Sequence, residues 1–206
     1  MKIEFEAKFY PINKISFRKK LKALGAKLIF PEKLFYRTIF DNLANPGLPC
    51  DYIRVRTGEA DIAELSLKIH AHEDGKVSDQ KELMVGVDGF EATVEILKTL
   101  GFKPSQYQET KRERWKLDGA EITLDTWPGL EPYTEIEAKS EKKVKAVAEK
   151  FGFDWEKKII TGPRDIFMKV YGLTKDKAIE KLAYLTFKNN PFSTLTEKET
   201  GDRVKP

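Results

Sequence analysis

The most constraining feature of this sequence is a pattern of alternating charged and apolar residues that recurs in six short segments. Side chains two residues apart share one face of a β-strand, so each segment predicts a strand with a charged face and an apolar face. In the first segment Glu4, Glu6 and Lys8 alternate with Phe5 and Ala7. One such strand alone would be an ordinary half-exposed strand, but six charged faces in one fold favour a common location.

The six charged faces are balanced in sign, and this balance indicates their chemistry. If they line the inside of a barrel, oxygen donors without a cysteine cluster favour a hard ion such as Mg²⁺ or Mn²⁺. Clustered arginine and lysine side chains bind phosphate oxygens. The alternative is that the charged faces are the solvated faces of a sandwich. The carboxylates are Glu4, Glu6, Glu121, Asp125, Glu135 and Glu137, and the cations are Lys8, Arg54, Arg56, Lys68, Arg112 and Arg114.

The order of the predicted elements indicates the fold class. Hairpin-like spacing dominates, which predicts a mainly antiparallel sheet, and the number of strands fits a closed barrel. We therefore predict an α+β fold in which an eight-stranded antiparallel β-barrel carries helices packed on its outside. Strands are predicted over 3–10, 34–41, 51–57, 63–71, 80–87, 108–117, 121–126 and 134–139, and helices over 14–24, 89–100, 140–151, 164–171 and 175–186.

Composition excludes several classes of protein. The 206 residues carry a formal net charge of only +4, which by itself does not indicate a nucleic-acid partner. No apolar run approaches the roughly 20 residues that span a bilayer, and the N-terminus lacks a signal-peptide pattern. Cys50 is the only cysteine, so no intramolecular disulfide forms. We expect a cytoplasmic monomer or homodimer without a membrane or nucleic-acid partner.

The first strand also carries a recognisable motif. Glu4-Phe5-Glu6-Ala7-Lys8 resembles the ExExK signature of the CYTH superfamily, the triphosphate tunnel metalloenzymes. The resemblance covers about residues 1–171, which predicts a CYTH-like tunnel domain there. Residues 172–206 would form a C-terminal helix and a polar tail, packed on the barrel or trailing from it. Further segments resemble the motifs of this family in the same order, namely 52–56, 65–68, 112–115, 121–125 and 130–137.

The resemblance implies a divalent metal, a triphosphate substrate and a role for each residue of the charged faces. It implies catalytic roles for Lys8 and for Tyr36, which falls where some triphosphatases carry a tyrosine; the alternative for Tyr36 is a core aromatic. The implied metal ligands are Glu4, Glu6, Glu135 and Glu137, assisted by Asp125 or Glu121. The implied triphosphate-binding residues are Lys8, Arg54, Arg56, Lys68 and Arg112, with Arg114 on the same face as Arg112.

Three functions are compatible with these residues. The first is a metal-dependent triphosphatase that hydrolyses the terminal phosphoanhydride of tripolyphosphate, ATP or thiamine triphosphate. The second is a class IV-like adenylyl cyclase, which needs the same triphosphate clamp. Hydrolysis is favoured because the chain keeps the Glu-x-Glu-x-Lys form of the signature. The third is a non-catalytic polyphosphate-binding module, which would not need all six carboxylates.

Overall fold

A computed structural model describes residues 2–58, 62–70 and 80–195, with the side chains of 2–4, 70 and 80 excepted. The strands are β1 (Lys2–Phe9), β2 (Lys27–Asp41), β3 (Tyr52–Thr57), β4 (Ala63–His70), β5 (Gln80–Val87), β6 (Gln106–Leu117), β7 (Ala120–Thr126), β8 (Tyr133–Ala138) and β9 (Tyr184–Leu185). The helices are α1 (Lys14–Ala23), α2 (Phe90–Thr99), α3 (Glu141–Lys150), α4 (Pro163–Tyr171) and α5 (Lys175–Leu182), with a short 3₁₀ helix at Trp155–Lys157.

Eight strands close into an antiparallel barrel, as the sequence predicts. Their order is β2-β3-β4-β5-β1-β8-β7-β6, and β6 pairs with β2 to complete the ring. The short strand β9 pairs in parallel with β6 near Tyr107, beyond the point where β7 pairs with β6. The ring gives every strand two neighbours, and it fixes which residues face the lumen.

Local sequence signals account for the turns and the helix ends. Asp118 and Gly119 join β6 to β7 with φ angles of 51° and 79°, the positive pair that a two-residue type I′ hairpin requires. Asn13 caps α1, since its side chain accepts hydrogen bonds from the backbone of Ile15 and Ser16 at 3.0 Å. The predicted ends of α1, α2 and α3 before glycines are confirmed within one residue.

The apolar outer face of the barrel is covered in three places. Helices α1 and α3 bury Phe17, Leu21 and Val147 in one cluster with outward-facing residues of β1 and β6–β8. Helix α2 covers β3 and β4. Helices α4 and α5 form a third cluster around Trp127, together with Phe192 from the C-terminal segment. The predicted arrangement of helices outside a charged barrel is therefore confirmed.

Two predicted elements differ from the structure. Strand β2 begins at Lys27, seven residues before the predicted start. The first part of the strand was not predicted because Pro31 and two register shifts interrupt the alternation of its residues. The predicted helix 175–186 ends at Leu182, and Tyr184–Leu185 form β9 instead. The competing interaction is backbone pairing with β6, which a helical periodicity does not reveal.

The division of the chain at residue 171 stays a prediction. Within the described part of the C-terminal segment, Leu185 and Phe192 are buried against α4. The rest of the predicted tail, residues 196–206, lies outside the described residues. In the described part of the chain, every helix is too short or too polar to cross a membrane.

Candidate active site

The lumen of the barrel is a cavity of about 1340 Å³ lined by charged side chains. Helices α4 and α5 pack against the end of the barrel where β6 begins and β7 finishes. At this end the side chain of Gln108 donates a hydrogen bond to the carbonyl of Leu182 in α5 at 2.8 Å. The predicted site residues that line the cavity are Glu6, Lys8, Arg54, Arg56, Lys68, Arg112, Arg114, Glu121, Asp125, Glu135 and Glu137.

Three glutamates form a row across neighbouring strands near the other end of the barrel. Glu6 on β1 is the cross-strand partner of Glu137 on β8, which in turn is the partner of Glu121 on β7. Directly opposed residues have Cβ atoms only about 5 Å apart, where like charges repel. This acidic row therefore needs positive charge close to it.

Two cations form ion pairs with the carboxylates in and next to the acidic row. Lys8 is 2% exposed and forms ion pairs with Glu6 and, at 3.7 Å, with Glu135. Arg112 binds Asp125 through Nε and Glu135 through Nη2, both at 2.6 Å. Glu135 is thus shared between an ammonium and a guanidinium, so the two cations tie β1, β6, β7 and β8 together.

These contacts set the protonation states of the central groups. Burial acts to raise the pKa of Glu6, but the charges of Lys8, Lys68 and Arg112 outweigh it and hold the pKa at about 2. Burial acts to lower the pKa of Lys8, and the carboxylates of Glu6 and Glu135 reverse this and raise it. Both groups are therefore charged at neutral pH, and Lys8 cannot serve as a general base there.

The pKa of Asp125 moves in the opposite direction from that of Glu6. Asp125 is only 1% exposed, and burial raises its pKa despite the opposing charge of Arg112. Thr123 also donates a hydrogen bond to this carboxyl group. Asp125 is therefore a deeply buried anchor for Arg112.

The opposite wall of the barrel, formed by β3–β5, is basic. Arg54 and Lys68 share the carboxylate of Glu82, at 2.9 and 3.7 Å, while Arg56 pairs with Glu64. The Nε of Arg54 is buried and has no hydrogen-bond partner among the described residues. An unsatisfied buried donor of this kind is costly, and an oxyanion in the lumen would satisfy it.

One predicted site residue lies outside this group, and for a second the side chain is not described. Tyr36 is on the outer face of β2, where its ring packs edge-on against Phe90 of α2 at 5.0 Å. The alternation of β2 sends Phe35 and Arg37 into the lumen and Tyr36 outward, so the core-aromatic alternative fits its position and a catalytic contact does not. The side chain of Glu4 lies outside the described residues.

The lumen also contains charged residues that the sequence pattern does not predict, among them Arg37 and Glu64. Arg37 enters the cavity from β2, and Glu64 pairs with Arg56 from β4. Arg37 was hidden because its strand face also carries Phe35 and Ile39, which made the face look apolar. Arg37 lies four residues before Asp41, and residues at this spacing share one face of a strand. This pair of charged residues is the signal that could have predicted Arg37 in the lumen.

The closed barrel with a charged lumen defines the class of protein, since it matches the CYTH triphosphate tunnel fold. The CYTH domain family model matches residues 2–163. The chain therefore belongs to the CYTH family. This superfamily consists of enzymes, triphosphatases and adenylyl cyclases, that in general depend on a metal ion and bind triphosphate substrates.

Three solved structures illustrate the similarity of this fold to known proteins. The PH1012 protein of Pyrococcus horikoshii is 22% identical, with a TM-score of 0.64 over 78% of this chain and 96% of its own. A conserved hypothetical protein of Pyrococcus furiosus is 23% identical, with a TM-score of 0.65 over 77% and 96%. A candidate adenylate cyclase of Vibrio parahaemolyticus is 14% identical, with a TM-score of 0.67 over 81% and 98%. No curated protein matches the chain.

The donor chemistry of the acidic row fits a hard divalent ion. Glu6, Glu137 and Glu121 offer only carboxylate oxygens, the ligands that Mg²⁺ and Mn²⁺ prefer. Among the described residues, no three acidic, histidine or cysteine side chains are already gathered into a metal-binding geometry. Glu6 and Glu135 are paired with Lys8 and Arg112, respectively. Metal binding would require these carboxylates to exchange a cation partner.

Proposed function

We propose that this protein is a divalent-metal-dependent triphosphatase that hydrolyses the terminal phosphoanhydride of a triphosphate held in the barrel. The observation that carries the proposal is the opposition of two walls across one cavity. The acidic row with its neighbours Asp125 and Glu135 lies on β1, β7 and β8, and Arg54, Arg56 and Lys68 lie on β3 and β4. This pairing suits a ligand that carries both a metal ion and several phosphate groups.

The acidic wall would hold the metal. Glu6, Glu137 and Glu121, with Glu135 close by and Glu4 as a predicted member, supply oxygen donors for Mg²⁺ or Mn²⁺. When bound, such an ion neutralises phosphate oxygens and activates water as a nucleophile.

The basic residues would orient the substrate and stabilise charge. Arg54 and Arg56 offer planar guanidinium groups for bidentate contacts with phosphate oxygens. Lys8 remains an ammonium between two carboxylates, so its role is to stabilise negative charge that develops during transfer, not to remove a proton. Because phosphoryl transfer depends mainly on positioning and charge stabilisation, these residues suffice for the chain's part in hydrolysis.

The proposal is tested by a product panel. Purified protein is incubated with Mg²⁺ or Mn²⁺ and tripolyphosphate, ATP or thiamine triphosphate, and phosphate, pyrophosphate and cyclic AMP are quantified. We expect phosphate release from at least one substrate and no cyclic AMP. Cyclic AMP and pyrophosphate in equal amounts from ATP would contradict the proposal and identify an adenylyl cyclase.

A further inference from the structure

Arg37 differs from the other cations of the lumen in its partners. Its Nε and Nη2 donate to the same side-chain oxygen of Gln108, at 2.9 and 2.8 Å. Its guanidinium lies over the ring of Trp127, with Cζ 4.3 Å from the ring centroid. Both partners are neutral, so within the described residues Arg37 has no carboxylate in ion-pair range.

The other cations that the barrel strands place in the lumen have carboxylate partners. Burial, followed by the nearby charge of Arg54, lowers the pKa of Arg37 to about 10, so the group is still charged at neutral pH. A buried cation without a counter-charge is unfavourable, and an anionic ligand would relieve the cost. The pairs are Lys8 with Glu6, Arg54 and Lys68 with Glu82, Arg56 with Glu64, Arg112 with Asp125, and Arg114 with Glu121.

The partners of Arg37 are themselves fixed, which holds its guanidinium in place. The amide nitrogen of Gln108 donates to Gln106 at 2.7 Å and to the carbonyl of Leu182 in α5 at 2.8 Å. The indole of Trp127 donates to the hydroxyl of Tyr133 at 2.8 Å. A rigid, pre-oriented donor loses little conformational entropy when it binds a ligand.

The strand register places Arg37 at a defined level of the barrel. Its neighbours Gln108, Trp127 and Tyr133 lie where β6 begins, β7 ends and β8 begins, the end against which α4 and α5 pack. Glu121 and Glu137 lie at the opposite ends of β7 and β8. A chain of phosphate groups held through a metal ion on the acidic row would therefore extend towards Arg37 at the other end.

We propose that Arg37 is a further substrate-binding residue, which binds the terminal phosphoryl oxyanion of a triphosphate at the end of the barrel covered by α4 and α5. The inference rests on the proposed function in that both place a triphosphate in the lumen. The Nη1 of Arg37 makes no hydrogen bond to a described residue and is available for this contact. The ligand group is the one that inorganic tripolyphosphate and ATP share.

The test compares Arg37→Gln, Arg37→Lys and the parent by calorimetric titration. The probes are tripolyphosphate in excess chelator and the β,γ-methylene analogue of ATP with Mg²⁺, neither of which is turned over at the terminal bond. We expect Arg37→Gln to weaken both affinities roughly 10- to 100-fold, since one charge-assisted contact is lost, and Arg37→Lys to weaken them less. Arg18→Gln is the matched control, because Arg18 lies outside the barrel on Glu113 and should change neither affinity more than about twofold.

Each result separates this inference from the proposed function. Normal binding by Arg37→Gln, a loss for the ATP analogue alone, or no binding of either probe by the parent overturns the inference. If the parent releases phosphate while Arg37→Gln binds normally, only the inference fails. If binding depends on Arg37 but no phosphate is released, only the proposed function fails.

A measurement on the parent covers variants that do not fold. Phenylglyoxal modification of arginine is mapped by peptide mass spectrometry with and without tripolyphosphate. We expect the ligand to slow modification of Arg37 at least several-fold and to leave Arg18 unchanged. Equal modification of Arg37 in both samples would overturn the inference.

Discussion

At the scale of single residues, the lumen is lined by ion pairs between residues of different strands. Lys8, at 2% exposure, and Arg54, at 8%, would be very costly to bury alone, and each has a carboxylate within hydrogen-bond distance. A metal ion and a polyphosphate would replace these partners with opposite charges of their own. These pairs therefore balance the charges of the strand residues in the lumen, with Arg37 as the exception among the described strand cations there.

Replacing Arg56 with alanine tests the basic wall. The change removes a guanidinium that pairs with Glu64 and lies 5.7 Å from the ring of Phe35, measured from Cζ to the ring centroid. We expect triphosphate affinity to fall roughly 10- to 150-fold, the effect of one charge-assisted hydrogen bond. Calorimetric titration measures it, with Arg18→Ala as the control. Unchanged affinity of Arg56→Ala would remove this residue from the phosphate-binding wall.

The depressed pKa of Glu6 predicts a dependence of stability on pH. Its folded pKa of about 2 lies below the ordinary value of 4.5, so its stabilising effect is complete above pH 4.5 and is lost as the pH falls through 2. Between these values it contributes a slope of about 1.4 kcal/mol per pH unit to the free energy of unfolding. Urea unfolding at pH 5, 4 and 3 measures this slope. Glu6→Gln should flatten it and exposed Glu149→Gln should not, and equal slopes in all three proteins would contradict the assignment.

At the scale of elements, the outer packing fixes where the lumen residues point. The C-terminal segment joins this packing through Phe192, which is 1% exposed and lies 4.3 Å from Phe167 of α4 between ring centroids. Its ring also lies 5.1 Å from that of Tyr171. This contact links the segment after α5 to the end of the barrel where Arg37 lies.

Phe192→Ala should therefore destabilise the protein as a core substitution does. We expect a loss of about 3–5 kcal/mol in the free energy of unfolding, measured by urea denaturation. Phe187→Ala deletes the same atoms from a ring that is 37% exposed and should cost no more than about 1 kcal/mol. If the two variants lose equal stability, the C-terminal segment does not contribute to the core.

Several elements could be predicted from the sequence because their signals are local. The helices α1, α2 and α3 combine an apolar stripe with a glycine stop, and the β6–β7 hairpin has its Asp118-Gly119 turn. The start of β2 and the strand β9 were not predicted because pairing with β6 decides them. In the same way Arg37 was not predicted, and Tyr36 was left open between a catalytic residue and a core aromatic, since the inner face of β2 mixes apolar and charged residues.

At the scale of the whole molecule, ring closure converts six modest strand patterns into one site. Glu6 lies more than 100 residues before Glu121 and Glu137 in the sequence, yet cross-strand pairing places the three in one row. The site therefore depends on the complete barrel. The central claim is that its acidic row binds the metal on which turnover depends.

The most direct test of this claim is the initial rate of phosphate release from tripolyphosphate as a function of Mg²⁺ concentration. The parent should be inactive in excess chelator. Glu137→Gln, which keeps the shape of the side chain and removes one charge, should need more Mg²⁺ for half-maximal rate and turn over at least tenfold more slowly, whereas Glu149→Gln should match the parent. Full turnover in excess chelator, or an unchanged rate of Glu137→Gln at limiting Mg²⁺, would contradict the account.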